Sequence, residues 1–267
     1  MAKVNGWAGK HKRLSGIVLE MILIYLTDIQ NSKMKLTITT VLCLVAGILS
    51  VVAQSKETTP RTANSPAAKD PSLIPVKDDP KLPRVLLIGD SISMGYTVPV
   101  RELLKGKANV HRIPENGGPT TNGLAKLQLW LGDGKWNVIH FNFGLHDLKL
   151  ITAGQRRLTP EAYEKNLREL VRQLKVTKAK LIWANTTPVP GPASKLGRIT
   201  DDVPVYNAVA AKIMEENGIP TDDLYGYALP QLSKIQRPEN VHYTKEGYDA
   251  LAEKVAASIE AVLPKGK

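Results

Sequence analysis

The stretch RVLLIGDSISMGY, Arg84 to Tyr96, is an apolar run of strand length that stops abruptly on Gly89-Asp90-Ser91. An apolar run without alternation, such as Val85–Ile88, reads as a buried strand. In open parallel sheets, ligands bind outside the carboxyl ends of the strands. A hydroxyl placed there is either a nucleophile presented by a turn or the cap of the next helix, and the tripeptide alone does not choose.

Downstream, strands alternate with helical patterns, the signature of βαβ units. Strands are expected at Asn109–Ile113, Asn137–Phe143 and Leu181–Thr186, with a short fifth near Asp223–Tyr225. Helices are expected at Val98–Leu104, Leu124–Leu131, Pro160–Val176, Val205–Glu216 and Thr244–Leu263. Pro160–Val176 is the clearest, with Pro in its first turn and Tyr163, Leu167, Leu170, Val171 and Leu174 at helical spacing. The expected fold is a three-layer α/β/α sandwich around a flavodoxin-like, mostly parallel five-stranded sheet, spanning residues 84–267.

Upstream, Gln54–Pro83 is rich in Pro, Ser, Thr, Lys and Asp and reads as a flexible linker, 54–83. Before it, Met34-Lys35 opens the apolar run LTITTVLCLVAGILSVVA, which ends on Val51 and Ala53 in the small-residue pattern of a signal-peptidase site. Residues 34–53 therefore read as a signal peptide and 1–33 as an upstream extension. The expected location is secreted or periplasmic, with no stable membrane insertion after cleavage. The sole cysteine, Cys43, would leave with the signal, so the core alone must stabilise the domain. The net charge of +11 is dispersed along the chain, and no nucleic-acid-binding motif accompanies it. Nucleic acid is not an expected partner.

A serine nucleophile needs a base. Of the five histidines, His11 falls in the extension, while His111 and His140 sit within expected strands. His242 lies in RPENVHYTKEGY, just before the last helix, with Glu239 three residues earlier. A carboxylate at that spacing can fold back onto the imidazole Nδ1–H and orient the ring. Oxyanion donors are available from the backbone of NGGPT, at Gly117 or Gly118, and from His146 in NFGLHDL. Each feature has a structural alternative: a helix cap, a polar loop, a turn, or an interfacial histidine.

Taken together, from Arg84 onward the blocks resemble those of the SGNH hydrolases, the GDSL lipase/esterase superfamily. Gly89-Asp90-Ser91 matches the first block, Gly118 the second-block glycine, and Gly144 with Asp147 the third, where His146 replaces the family's Asn. Glu239 and His242 stand where the family has Asp-x-x-His. The resemblance implies Ser91 as nucleophile, His242 as base and Glu239 as its orienter, with a backbone carbonyl as the alternative orienter. It further implies an oxyanion hole of Ser91, Gly118 and His146, supported by Asp90, Gly144 and Asp147, with Asp147 organising the loop. No metal and no cofactor is expected. The implied activity is hydrolysis of a small-molecule or polysaccharide ester, ranging across lipids, small acyl esters and acetylated sugars; the expected export, short loops and lack of a hydrophobic lid favour short acyl or acetyl esters. Rival readings are a carbohydrate-binding protein that kept the fold after losing activity, and an acyltransferase to a sugar.

Overall fold

A computed structural model describes residues 70–151, 154–191 and 197–264 of the chain. The expected extension 1–33, the signal segment 34–53 and residues 54–69 of the expected linker lie outside the described residues. Among the described residues, no helix is long and apolar enough to cross a membrane.

Five parallel strands form the sheet: β1 (Arg84–Ile88), β2 (Asn109–Arg112), β3 (Val138–Phe141), β4 (Lys180–Ala184) and β5 (Thr221–Asp222). Their order is β2-β1-β3-β4-β5. Register runs Leu87↔Arg112 on one side of β1 and Ile88↔Phe141 on the other. After β1 the chain winds outward to β2, then returns across to β3. The switch point of the sheet is therefore the crevice at the carboxyl ends of β1 and β3, where Gly89-Asp90-Ser91 begins.

Helices cover both faces. On one side α1 (Ser91–Leu103) packs against α7 (Lys245–Glu260); on the other, α3 (Pro160–Val176) lies between α2 (Thr120–Leu131) and α4 (Asp202–Glu216). The α1–α7 contact is close because position 95 is glycine: a Cβ there would fall 2.1 Å from Cε1 of Tyr248. The apolar stripe anticipated on α3 is buried in full, and Thr159 caps its start by accepting from Ala162 N–H. Each of those large side chains contributes about 1.5–3 kcal/mol by leaving water.

Several boundaries differ from expectation. Helix α1 begins at Ser91 rather than Val98, because the Asp90 carboxylate caps it by accepting from Ile92 N–H. Pro99 inside the helix does not end it. The fifth strand is Thr221–Asp222 and not Asp223–Tyr225: Asp223 instead caps the short helix α5 (Leu224–Ala228), accepting from Gly226 N–H. A further short helix, α6 (Leu232–Ile235), leads to the His242 loop.

The described part of the expected linker is packed rather than tethering. Pro71–Leu73 forms a single 3₁₀ turn, and Ser72 is 2% exposed. Asn109 donates to the Asp79 and Leu82 carbonyls and accepts from Asp79 N–H, while Asp78 pairs with Arg84 and His111. A Pro- and Lys-rich composition reports the absence of a private core, but it is blind to polar anchors supplied by β2.

Candidate active site

The strand-to-helix turn after β1 places Ser91 at the first position of α1, and the Ser91 Oγ lies 2.9 Å from Nε2 of His242. The two residues are 151 positions apart, and the parallel winding of the sheet brings them together. The base arrives on a tight loop after α6. Arg237 N–H donates to the His242 carbonyl, Gln236 bridges to Tyr243, and Thr244 caps α7 immediately beyond.

The acceptor on His242 Nδ1 is the amide oxygen of Asn240, at 2.8 Å, where Glu239 was the expected orienter. The same oxygen accepts His242 N–H at 3.0 Å, an Asx turn. Glu239 takes a left-handed φ of +49° in this loop, and the acceptor facing Nδ1 is Asn240. The protonation pattern follows. A backbone N–H can only donate, so the atom it meets on Asn240 is the oxygen. Nδ1 then carries the hydrogen, leaving the Nε2 lone pair facing Ser91. Partial burial holds the His242 pKa below the ordinary imidazole value, against the pull of Asp90 and with help from Arg237 and Arg198. Both effects favour the neutral ring of His242 at neutral pH.

His146 also approaches the turn. Its Nε2 is 3.9 Å from Asp90 Oδ2, beyond hydrogen-bond range but near enough to feel the carboxylate. Burial lowers its pKa; Asp90 raises it, and Arg198, Arg157 and Lys149 lower it further. His146 is thus a neutral imidazole with one N–H to donate. Arg198 is held close by its bond from Nε to the Leu145 carbonyl, 2.8 Å.

The second-block loop differs from expectation in one respect. The Gly118 N–H, the expected oxyanion donor, donates to Asn116 Oδ1 at 3.0 Å, and the Gly117 N–H to the Gly89 carbonyl at 2.9 Å. The Asx turn at Asn116 takes up the Gly118 donor locally. The Ser91 N–H sits at the first helical position, where the helix itself offers no acceptor.

Asp147 ties the second and third loops together, its Oδ1 accepting from Thr120 N–H at 2.8 Å and from Thr120 Oγ at 2.5 Å. Burial pushes its pKa up to about 6 despite these donors, and Oδ2 has no partner among the described residues. Gly144 begins this loop with φ +139°, and a Cβ there would meet Thr186 Oγ1 at 2.1 Å, so only glycine fits.

Beneath the Gly-Asp-Ser turn lies a residue that its place in the sequence does not single out. Arg112, at the end of β2, donates through Nη2 to the carbonyls of Gly89 (3.0 Å), Asp90 (3.2 Å) and Glu115 (3.2 Å), and through Nη1 to Ser93 Oγ (2.8 Å). It clamps the Gly-Asp-Ser turn from below. Desolvation lowers its pKa to about 10, so it stays charged. A charged residue closing an otherwise buried strand was its only signal in the sequence. His140, set aside as structural, is fully buried 3.1 Å from Asp222, and His111 meets Asp78. Among the described residues, no cluster of His, Cys, Asp and Glu is placed to hold a metal ion.

A strand, a Gly-Asp-Ser turn and a late histidine facing that serine define a serine-hydrolase arrangement. The family model of the GDSL-like lipase/acylhydrolase family matches residues 87–250, more than half of the 267-residue chain. The chain belongs to this family of ester-bond hydrolases. No curated protein matches its sequence. Among solved structures it is similar to a lipase/acylhydrolase from Enterococcus faecalis, at 22% identity over 69% of this chain and 98% of that one, with a TM-score of 0.60. It is also similar to the acetyl xylan esterase AlAXEase (17% identity, 66% and 99% covered, TM-score 0.57). The acetylxylan esterase Axe2 from Geobacillus stearothermophilus is alike too (20% identity, 66% and 94% covered, TM-score 0.56). At these identities the likenesses establish a shared fold.

Proposed function

We propose that this chain is a serine esterase that hydrolyses short acyl esters, acetyl esters of carbohydrate foremost, and that residues 34–53 direct its export. The observation that carries the mechanism is the 2.9 Å contact of Ser91 Oγ with an His242 Nε2 whose lone pair is aimed by Asn240. Ser91 Oγ attacks the ester carbonyl while its proton passes to Nε2. The tetrahedral oxyanion is held by the Ser91 N–H and by His146, and the Gly118 N–H joins when Asn116 releases it. Collapse breaks the bond to the alcohol oxygen, which leaves with the proton from Nε2. Water repeats the sequence on the acyl-enzyme and frees the carboxylic acid. Support for an acetylated carbohydrate comes from the fold shared with two acetylxylan esterases. Export is supported by the basic start, apolar run and small residues of 34–53.

A reactive organophosphonate tests the nucleophile. It should label Ser91, and Ser91→Ala should abolish labelling and lower kcat on p-nitrophenyl acetate by about 10³-fold or more. A mutant keeping about a tenth of the wild-type rate would place the nucleophile elsewhere. Acetylated xylan, assayed beside p-nitrophenyl esters of rising chain length, tests the substrate. Mass spectrometry of exported protein tests the signal, with an N-terminus near Gln54 expected.

A further inference from the structure

Ser91 opens onto a cavity of about 330 Å³ whose lining includes Asp70, Pro71 and Ser72 on one side and Met94, Gly95 and Val98 of α1 on the other. The first three lie upstream of β1 and outside the residues that match the family model. Their turn is anchored. Asp70 Oδ1 accepts Ser72 N–H at 2.8 Å, Leu73 N–H donates to the Asp70 carbonyl at 2.9 Å, and Arg101 Nη1 of α1 donates to the Pro71 carbonyl at 3.2 Å. Ser72 is buried, and its hydroxyl, sealed from solvent, has no partner among the described residues. A second cavity of about 670 Å³ shares Gly95 and Val98 with the first and continues between α1 and α7 past Leu103 and Tyr248.

We propose that the Asp70–Leu73 turn is a specificity-determining wall of the substrate site, one that admits neutral or cationic ester groups beside Ser91 and discriminates against anionic ones. The proposal rests on the reading of Ser91 as the nucleophile. Met94 and Val98 of α1 form an apolar floor beside Ser91, the second cavity beyond it carries charges of both signs including Glu102, Arg237 and Lys245, and the turn stands along the floor with a carboxylate at its head. Asp70 is also close enough to the turn beneath Ser91 to be one of the acidic groups that favour the charged form of Arg112. An ester group bound between floor and wall meets methionine and valine side chains below and a negative charge at its flank. At about 330 Å³ the first cavity is at the small end of ligand sites.

Two substitutions in the full chain test the wall without touching the catalytic residues. Asp70→Asn keeps an oxygen for the Ser72 N–H and removes only the charge. Arg101→Met removes the strut from α1 to Pro71 together with the Arg101 Nε bond to the Val110 carbonyl of β2. Rates are normalised to active sites by phosphonate titration of Ser91, so that any misfolded fraction drops out. The substrates are the p-nitrophenyl esters of acetate, butyrate and hexanoate, and the anionic hemisuccinate. Asp70→Asn should raise kcat/KM for the hemisuccinate relative to butyrate by about three- to tenfold, through KM, with the gain fading at about 0.5 M salt. Arg101→Met should shift the hexanoate-to-acetate ratio by about threefold or more. If both ratios stay within about twofold of wild type while wild type turns over and labels at Ser91, the wall is overturned and the esterase reading stands. A wild-type chain inert to phosphonate and to every ester overturns the nucleophile, and the wall with it.

Discussion

Asn240 Oδ1 lies 2.8 Å from Nδ1 of His242 and 3.0 Å from the same residue's backbone nitrogen, so one amide oxygen fixes both the loop and the tautomer of the base. A carboxylate in that place would also stabilise the imidazolium by a full charge; an amide offers only a dipole. The first prediction follows from this difference. Asn240→Ala should lower kcat about 10- to 100-fold, the cost of one oriented buried hydrogen bond. Glu239→Gln should stay within about threefold of wild type, since its charge is not what Nδ1 meets. The acid limb of kcat/KM should fall below the ordinary imidazole range, because burial depresses the His242 pKa. Asn240→Asp should move that limb upward, since an added negative charge favours the protonated ring. A pH–rate profile of the three variants reads all of this.

His146 carries the second prediction. As a neutral imidazole with one N–H, it can serve the oxyanion only in a single tautomer. His146→Ala should lower kcat by about 10²–10³-fold. His146→Asn should recover much of the loss, because an amide donates without a tautomer to choose. Equal activity of the two variants per active site would remove His146 from the oxyanion hole.

Arg112 holds the Gly89 and Asp90 carbonyls from beneath without access to substrate, which makes it a positioning residue. Arg112→Met should slow both ester turnover and phosphonylation of Ser91 about 10- to 100-fold with KM nearly constant, as expected when a reacting atom loses its placement. Stability should also drop by about 1–3 kcal/mol, since buried carbonyls lose their donor. Arg112→Lys should restore stability more than rate, because a point charge cannot span carbonyls that a planar fork can. Parallel loss of kcat and folded fraction, with phosphonylation unchanged per folded molecule, would reduce Arg112 to a structural role.

Asp147 supplies a signature in stability. Its carboxyl is raised to about 6 by burial, above the ordinary aspartate value. A carboxyl raised in the folded state stabilises most when protonated, so its contribution is full below pH about 4 and lost as pH rises through about 6. The amplitude is about 2–3 kcal/mol. Asp147→Asn, which still presents an oxygen to both Thr120 donors, should remove that loss. The melting temperature of the mutant relative to wild type should therefore be higher at pH 7.5 than at pH 5, whatever its absolute value. An identical offset at both pH values would show that Asp147 does not titrate between them.

The sequence by itself determined the alternation of strands and helices, because burial on a sheet face and on a helix stripe leaves periods readable over a dozen residues. It determined the placement of Ser91 at a strand end and of His242 before the last helix, since both signals are local. It pointed to Glu239, with a backbone carbonyl as the alternative, and did not single out Asn240. The acceptor is decided by how the loop folds, with a left-handed φ at Glu239 and bracing by Arg237 and Gln236, and local spacing does not show that. Nor could it show that the Gly118 N–H is occupied, that Arg112 reaches back under β1, or that Asp70–Pro83 is packed on the domain. Each of those depends on a polar partner supplied from elsewhere in the fold. Hydrophobic burial is additive along a segment and so is written in composition and period, whereas a hydrogen bond needs two specific atoms in one place, and only tertiary structure puts them there.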